Sequence, residues 1–110
     1  MKALVLEELK RPLQLKERAD PAAGPGEVVV TLQAASLNRR DYWITQGLYP
    51  RIRMPVVLGS DGAGVVSAAG EGVDDELVGS EVLIHPAKNW GDDPGAQGED
   101  FEVLGMPADG

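Results

Sequence analysis

Four arginines, Arg39, Arg40, Arg51 and Arg53, fall within 15 residues of one another. A guanidinium presents a planar fork of donors that matches the paired oxygens of a phosphate or carboxylate. The group is a candidate anion site, and a solvated basic surface fits the same residues equally well. Other candidate chemistry is thin. The single histidine, His85, precedes Pro86 at the end of an apolar run and has no second histidine to share a metal. Ser60 sits in Gly59-Ser60-Asp61-Gly62, which is not the Gly-x-Ser-x-Gly turn of a serine hydrolase. Asp74-Asp75-Glu76 lacks the spacing of a calcium loop and reads as a solvated turn. Gly62-Ala63-Gly64-Val65-Val66-Ser67 starts like a dinucleotide fingerprint but lacks its last glycine and continues as a β-branched strand. It is not read as a phosphate-cradling loop.

Composition narrows the field further. The chain has 110 residues, no cysteine and a formal net charge of −8. The absence of thiols excludes a disulfide scaffold and thiolate metal sites. The acidic balance argues against nucleic acid and anionic membrane as partners. It is also uneven: residues 1–70 carry nine bases and seven acids, residues 71–110 one base, Lys88, and eleven acids. The N-terminal apolar run is too short for a secretory or spanning segment, so the cytoplasm is the expected compartment. A chain this size buries roughly two thirds of its unfolded surface. Aromatic residues are few, so Val, Leu, Ile and Ala must fill the core.

The elements that position these residues are short. Residues 2–7 read as an apolar strand, and 12–18 alternate as a half-buried one. Pro21 and Gly24-Pro25-Gly26 mark a turn. Residues 27–36 alternate most clearly, with Val28, Val30, Leu32 and Ala34 on one face. The period then changes. Asn38 is a good N-cap, Asp41 stands three residues on, Leu37 and Tyr42 occupy staple positions, and Gly47 can end the element in a left-handed turn. A helix of about two turns is expected over 39–46. Pro50 and Pro55 bracket an extended stretch. Residues 63–69 and 80–85 are strands joined by an acidic connection over 72–79. Val82 and Ile84 share one face of the second, Glu81 and Leu83 the other. Residues 86–100 read as a loop and 101–105 as the start of a last strand. The 14 glycines and 8 prolines suit short strands joined by turns, which indicates a mostly β barrel or sandwich.

The order of several segments carries a resemblance. These are Met1-Lys2-Ala3, Gly24-Pro25-Gly26-Glu27-Val28-Val29-Val30, Ala35-Ser36-Leu37-Asn38-Arg39-Arg40-Asp41, Gly47-Leu48-Tyr49-Pro50, and Pro55-Val56-Val57-Leu58-Gly59-Ser60-Asp61-Gly62-Ala63-Gly64-Val65-Val66, with Val78-Gly79-Ser80-Glu81-Val82-Leu83-Ile84 after them. Together they resemble the N-terminal half of a medium-chain dehydrogenase/reductase. The resemblance implies a GroES-like, partly open β barrel with one short helix over residues 1–110. Zinc alcohol dehydrogenases of this family have a cysteine at the position of Asn38 and a His-Glu pair at Ser60-Asp61, and four cysteines in the region of 86–104. None is present here, so the chain is more similar to the zinc-free branch of quinone oxidoreductases and enoyl reductases. That branch keeps Asn-x-x-Asp before the helix, as Asn38 to Asp41 does.

The resemblance also implies roles. The reaction would be hydride transfer from NADPH to a quinone, carbonyl or activated alkene, with no metal. Asn38 would place an amide donor near the substrate oxygen or the nicotinamide, and Tyr49 would line the cleft and offer a hydroxyl. A preorganised donor of this kind contributes up to roughly 3 kcal/mol to a transition state. Arg39 would approach the cofactor pyrophosphate. Asp41 would brace the helix start, Trp43 would line the pocket or enter the core, and Ser60 and Asp61 would shape the former metal-site segment. The family's Rossmann domain has no counterpart here, so the chain reads as an incomplete domain, inactive alone and prone to self-association through uncovered surface. The alternative is a non-enzymatic GroES-like module acting in assembly or as a scaffold.

Overall fold

The computed structural model describes all 110 residues. The chain is mostly β, with one α-helix and three small sheets, none of them closed. It forms two compact units. The first comprises residues 1–18, 36–60 and 85–110, and the second comprises 19–35 and 61–84.

In the first unit, β1 (Lys2–Leu6) is the central strand of a sheet, between β2 (Gln14–Glu17) and β4 (Val56–Val57). Both neighbours run antiparallel to it, with Leu4 opposite Leu15 and Val5 opposite Val57. Ala3, Val5 and Leu6 are buried, while Lys2 and Leu4 are exposed. The core joins this sheet to the helix and the C-terminal segment: Leu6, Ile44, Val56, Leu58 and Met106, with Leu9, Leu13 and Ile52 packed on it. Burying each of these side chains is worth about 1.5–3 kcal/mol. β7 (Ala87–Lys88) interrupts the loop expected over 86–100 and pairs as a two-stranded ribbon with β8 (Glu102–Val103), which falls in the strand expected over 101–105.

The helix α1 (Arg39–Thr45) lies where the period change placed it. Its end is fully capped. The Gly47 N–H donates to the Ile44 carbonyl and the Leu48 N–H to the Trp43 carbonyl, with Gly47 at a φ of +77°. That pair of bonds is the Schellman arrangement, and glycine takes the left-handed position at least cost. The staple positions Leu37 and Tyr42 are both largely exposed. The stretch between Pro50 and Pro55 is not extended as expected: it turns, and Arg51 has a φ of +56°.

In the second unit, β5 (Asp61–Ala69) is central, between β3 (Val28–Ser36) and β6 (Glu81–Leu83). The Gly26 N–H donates to the Glu71 carbonyl and the Gly70 N–H to the Glu27 carbonyl, which fixes the turn against the end of β5. β6 faces as expected, with Val82 half-buried and Leu83 exposed. β3 does not. Val29 and Val30 are half-buried, while Val28 and Leu32 are largely exposed. Alternation marks which side chains share a face, but not whether a second layer covers that face. The acidic connection holds a single 3-10 turn, Asp75–Leu77, and the Asp74 carboxylate accepts from the Glu76 N–H at its start.

Candidate functional site

The site is organised by Asp41, the third residue of α1. Its residue is 2% exposed. One carboxylate oxygen accepts from the Asn38 backbone N–H at 2.6 Å and the other from the Gly59 N–H at 3.1 Å. The first bond is half of a capping box, satisfying an orphan donor at the helix start. The second reaches 18 residues along the chain. One buried carboxylate therefore ties Asn38 to the Gly59-Ser60 segment, which the sequence separates. Ser60 is buried beside Gly59. Asp61 is exposed at the start of β5, in the second unit.

Arg40 holds the other side of the helix start. Its Nη1 donates to the Leu104 carbonyl at 3.2 Å and its Nη2 to the Met106 carbonyl at 3.0 Å. The guanidinium carbon lies 5.1 Å from the centroid of the Tyr49 ring. Arg40 is half-buried and fully engaged, so it is not a free member of an anion site with Arg39, Arg51 and Arg53. Those three are exposed. Sequence reading did not anticipate this clip. Its only sequence signal is an arginine beside a capping aspartate.

The remaining residues are placed as follows. Trp43 is on the exposed side of α1, so it does not enter the core, and it stacks edge-on against Tyr42 with 5.0 Å between centroids. Tyr49 is 38% exposed, with its ring beneath Arg40. His85 is exposed, with Nδ1 3.1 Å from the Ala87 carbonyl oxygen. A shallow polar recess lined by Asn89, Gly91, Gly98, Glu99, Asp100 and Glu102 contains none of the residues that the sequence singled out for chemistry.

The donor set does not fit a catalytic zinc. Asn38 and Ser60 offer an amide and a hydroxyl, whereas such zinc sites are built mainly from imidazole and thiolate. The Asn38 side-chain amide is a group that can donate a hydrogen bond to a substrate oxygen. Arg39, exposed and without an ion pair, suits an anionic group such as a pyrophosphate.

The family model described as the alcohol dehydrogenase GroES-like domain matches residues 24–108. The zinc-type alcohol dehydrogenase-like protein YogA of Leptosphaeria maculans is 41% identical over 86 residues, which is 76% of this chain and 24% of that protein. The acryloyl-coenzyme A reductase of Metallosphaera sedula is 39% identical over 83 residues, 76% of this chain and 25% of that protein. A solved NAD-dependent alcohol dehydrogenase superposes with a TM-score of 0.87 at 36% identity, over 100% of this chain and 35% of that one. The chain thus spans about a quarter of the length of these curated relatives.

Proposed function

The chain belongs to the alcohol dehydrogenase GroES-like domain family of the medium-chain dehydrogenase/reductases, and from that premise we propose that it is the substrate-side domain of a zinc-free, NADPH-dependent oxidoreductase. The acceptor is a quinone, a carbonyl or an activated alkene. The observation that carries this reading is the Asp41 carboxylate, which holds Asn38 beside Gly59-Ser60 with an amide and a hydroxyl where zinc enzymes of the family use metal ligands. The acryloyl-coenzyme A reductase among the relatives supports an activated alkene as acceptor. Another relative carries "zinc-type" in its name, so support for zinc independence comes from this chain's own residues, which include no cysteine and a single histidine.

When bound, the nicotinamide supplies the hydride, and the cofactor platform lies outside these residues. Asn38 donates its amide N–H to the acceptor oxygen, where charge develops. Tyr49 walls the cleft and offers its hydroxyl, with Trp43 of α1 as a further wall. Arg39 would hold the cofactor pyrophosphate. Asp41, Ser60 and Asp61 shape the segment and do not touch the reacting atoms. No helix is long and apolar enough to cross a membrane, and we place the protein in the cytoplasm.

The test is NADPH oxidation by the natural gene product with a panel of quinones, aldehydes and enones, with and without a metal chelator. Turnover that survives chelation is expected. Asn38→Ala should lower kcat/KM by about fivefold, the worth of one neutral hydrogen bond of roughly 1 kcal/mol. Loss of activity on chelation and its return with zinc overturn the reading, as does silence with every acceptor.

The 110-residue chain alone is expected to bind to further copies of itself, because Leu83, Leu48 and Leu15 are 85%, 68% and 65% exposed. Light scattering across a concentration series checks this. A mass that stays at one copy at the highest concentration refutes it.

A further inference from the structure

We propose that Arg40 is a positioning residue for Tyr49, setting the place of that ring in the substrate cleft. The inference rests on the oxidoreductase reading above for what Tyr49 does, and on geometry alone for what Arg40 does. Three contacts define the geometry. Two guanidinium nitrogens are anchored on the carbonyls of Leu104 and Met106, and the guanidinium carbon then lies over the Tyr49 ring, 5.1 Å from its centroid. The anchor is itself rigid. Met106 is a core residue, 3% exposed, and the Leu104 N–H donates to the Pro86 carbonyl. At its other end the segment is tied to β4, where the Asp109 carboxylate accepts from the Val57 N–H at 2.7 Å and the Gly110 N–H donates to the Val57 carbonyl at 3.0 Å.

Tyr49 needs such a support. It follows the helix stop at Gly47, in a turn whose next residue but one, Arg51, has a positive φ. The structure records no hydrogen bond to its hydroxyl, which leaves that group for a substrate. A ring held only by its own backbone would sample several rotamers. A cation over its face selects one of them at the cost of a fixed guanidinium, and the two carbonyls supply that fixation. Arginine is required for this because its planar fork donates to two acceptors and still presents a flat face. Lysine keeps the charge and loses both properties.

The experiment reads Arg40 and Tyr49 separately from folding. NMR of the 110-residue chain with labelled tyrosine rings compares the wild type with Arg40→Lys, with the Tyr42 ring and the Asn38 and Gly59 amides as internal references. The Tyr49 ring signals are expected to move and broaden in Arg40→Lys while the references stay in place. Unchanged Tyr49 signals overturn the proposal. Should Arg40→Lys not fold, Tyr49→Ala reads the same contact from the other side. The Arg40 side-chain protons lose their ring-current shift if the contact exists and keep their position if it does not.

In the natural gene product, Arg40→Lys should lower kcat by about threefold, the worth of one exposed cation–π contact, with no change in KM for NADPH. The same substitution should have no effect in a Tyr49→Ala background. An equal loss in both backgrounds shows that Arg40 acts otherwise and overturns the proposal. Absence of any turnover defeats the oxidoreductase reading, while the NMR comparison still decides whether Arg40 positions the ring.

Discussion

Asp41→Ala is expected to lower the unfolding free energy by about 3 kcal/mol. The carboxylate is 2% exposed and accepts from two backbone donors, Asn38 N–H at 2.6 Å and Gly59 N–H at 3.1 Å. Hydrogen bonds to a charged group are worth about 1.5–3 kcal/mol, and a buried donor left without a partner costs a further fraction of that. Typical domains have only about 5–15 kcal/mol in total, so the change removes much of the margin. Asp41→Asn should fall between, because one amide oxygen still accepts and the amide nitrogen then faces a donor. Urea denaturation followed by tryptophan fluorescence gives the difference, with the exposed Asp92→Ala as the control. A midpoint for Asp41→Ala within error of that control would show that the carboxylate carries no load. The same substitution also frees Gly59 from Asn38. Activity in the natural gene product should therefore fall even at temperatures where the protein remains folded.

Gly64→Ala is expected to be worse, and Gly62→Ala much milder. A Cβ added at Gly64 would stand 2.1 Å from the Thr31 carbonyl oxygen and 2.9 Å from the Leu32 Cα. Both atoms are backbone, so β3 and β5 would have to separate. A Cβ at Gly62 would meet the ends of two side chains instead, Leu32 Cδ2 at 2.8 Å and Ile84 Cδ1 at 3.0 Å. Those can rotate away, and Leu32 is already half in solvent. Overpacking that side chains can absorb costs about 1–3 kcal/mol. A clash between two main chains exceeds that range, and Gly64→Ala should melt the second unit or fail to express. Thermal melts of the two variants, run side by side, distinguish them. Equal melting temperatures would refute the close approach. The pair also explains why glycines at 62 and 64 imitate the start of a dinucleotide fingerprint. At 64 the reason is the nearness of the neighbouring strand, and no phosphate is involved.

The elements that depend on neighbours in sequence were legible. The helix was readable from Asn38, Asp41 and Gly47 because its capping groups lie within three residues of the ends they serve. β1, β3 and β5 were readable as strands from alternation and β-branching, and the ordered segments from Met1 to Ile84 carried the family. The turn at Arg51 was missed because two prolines restrict their own φ and the residues before them, but leave the residues between free. Strand β8 lies within the strand expected over 101–105, whereas β7 was missed because a two-residue strand has no period. The exposed faces of β3 and α1 were missed for a different reason, since alternation assigns a face and only the packing of another layer decides its burial.

What the sequence by itself determined is therefore local and chemical. It set the residue types at Asn38, Ser60 and Asp61, the start and stop of one helix, the strand pattern and the membership of a family. What only the tertiary structure decided is which distant groups meet. The Asp41 carboxylate reaches a donor 18 residues on, and Arg40 finds carbonyls 64 and 66 residues away. Backbone carbonyls and N–H groups are the same at every residue, so no side-chain pattern can announce them as partners. Their choice follows from how the sheet, the helix and the C-terminal segment pack around Leu6, Ile44 and Met106. Burial then makes each unpaired donor costly enough to hold the arrangement in place.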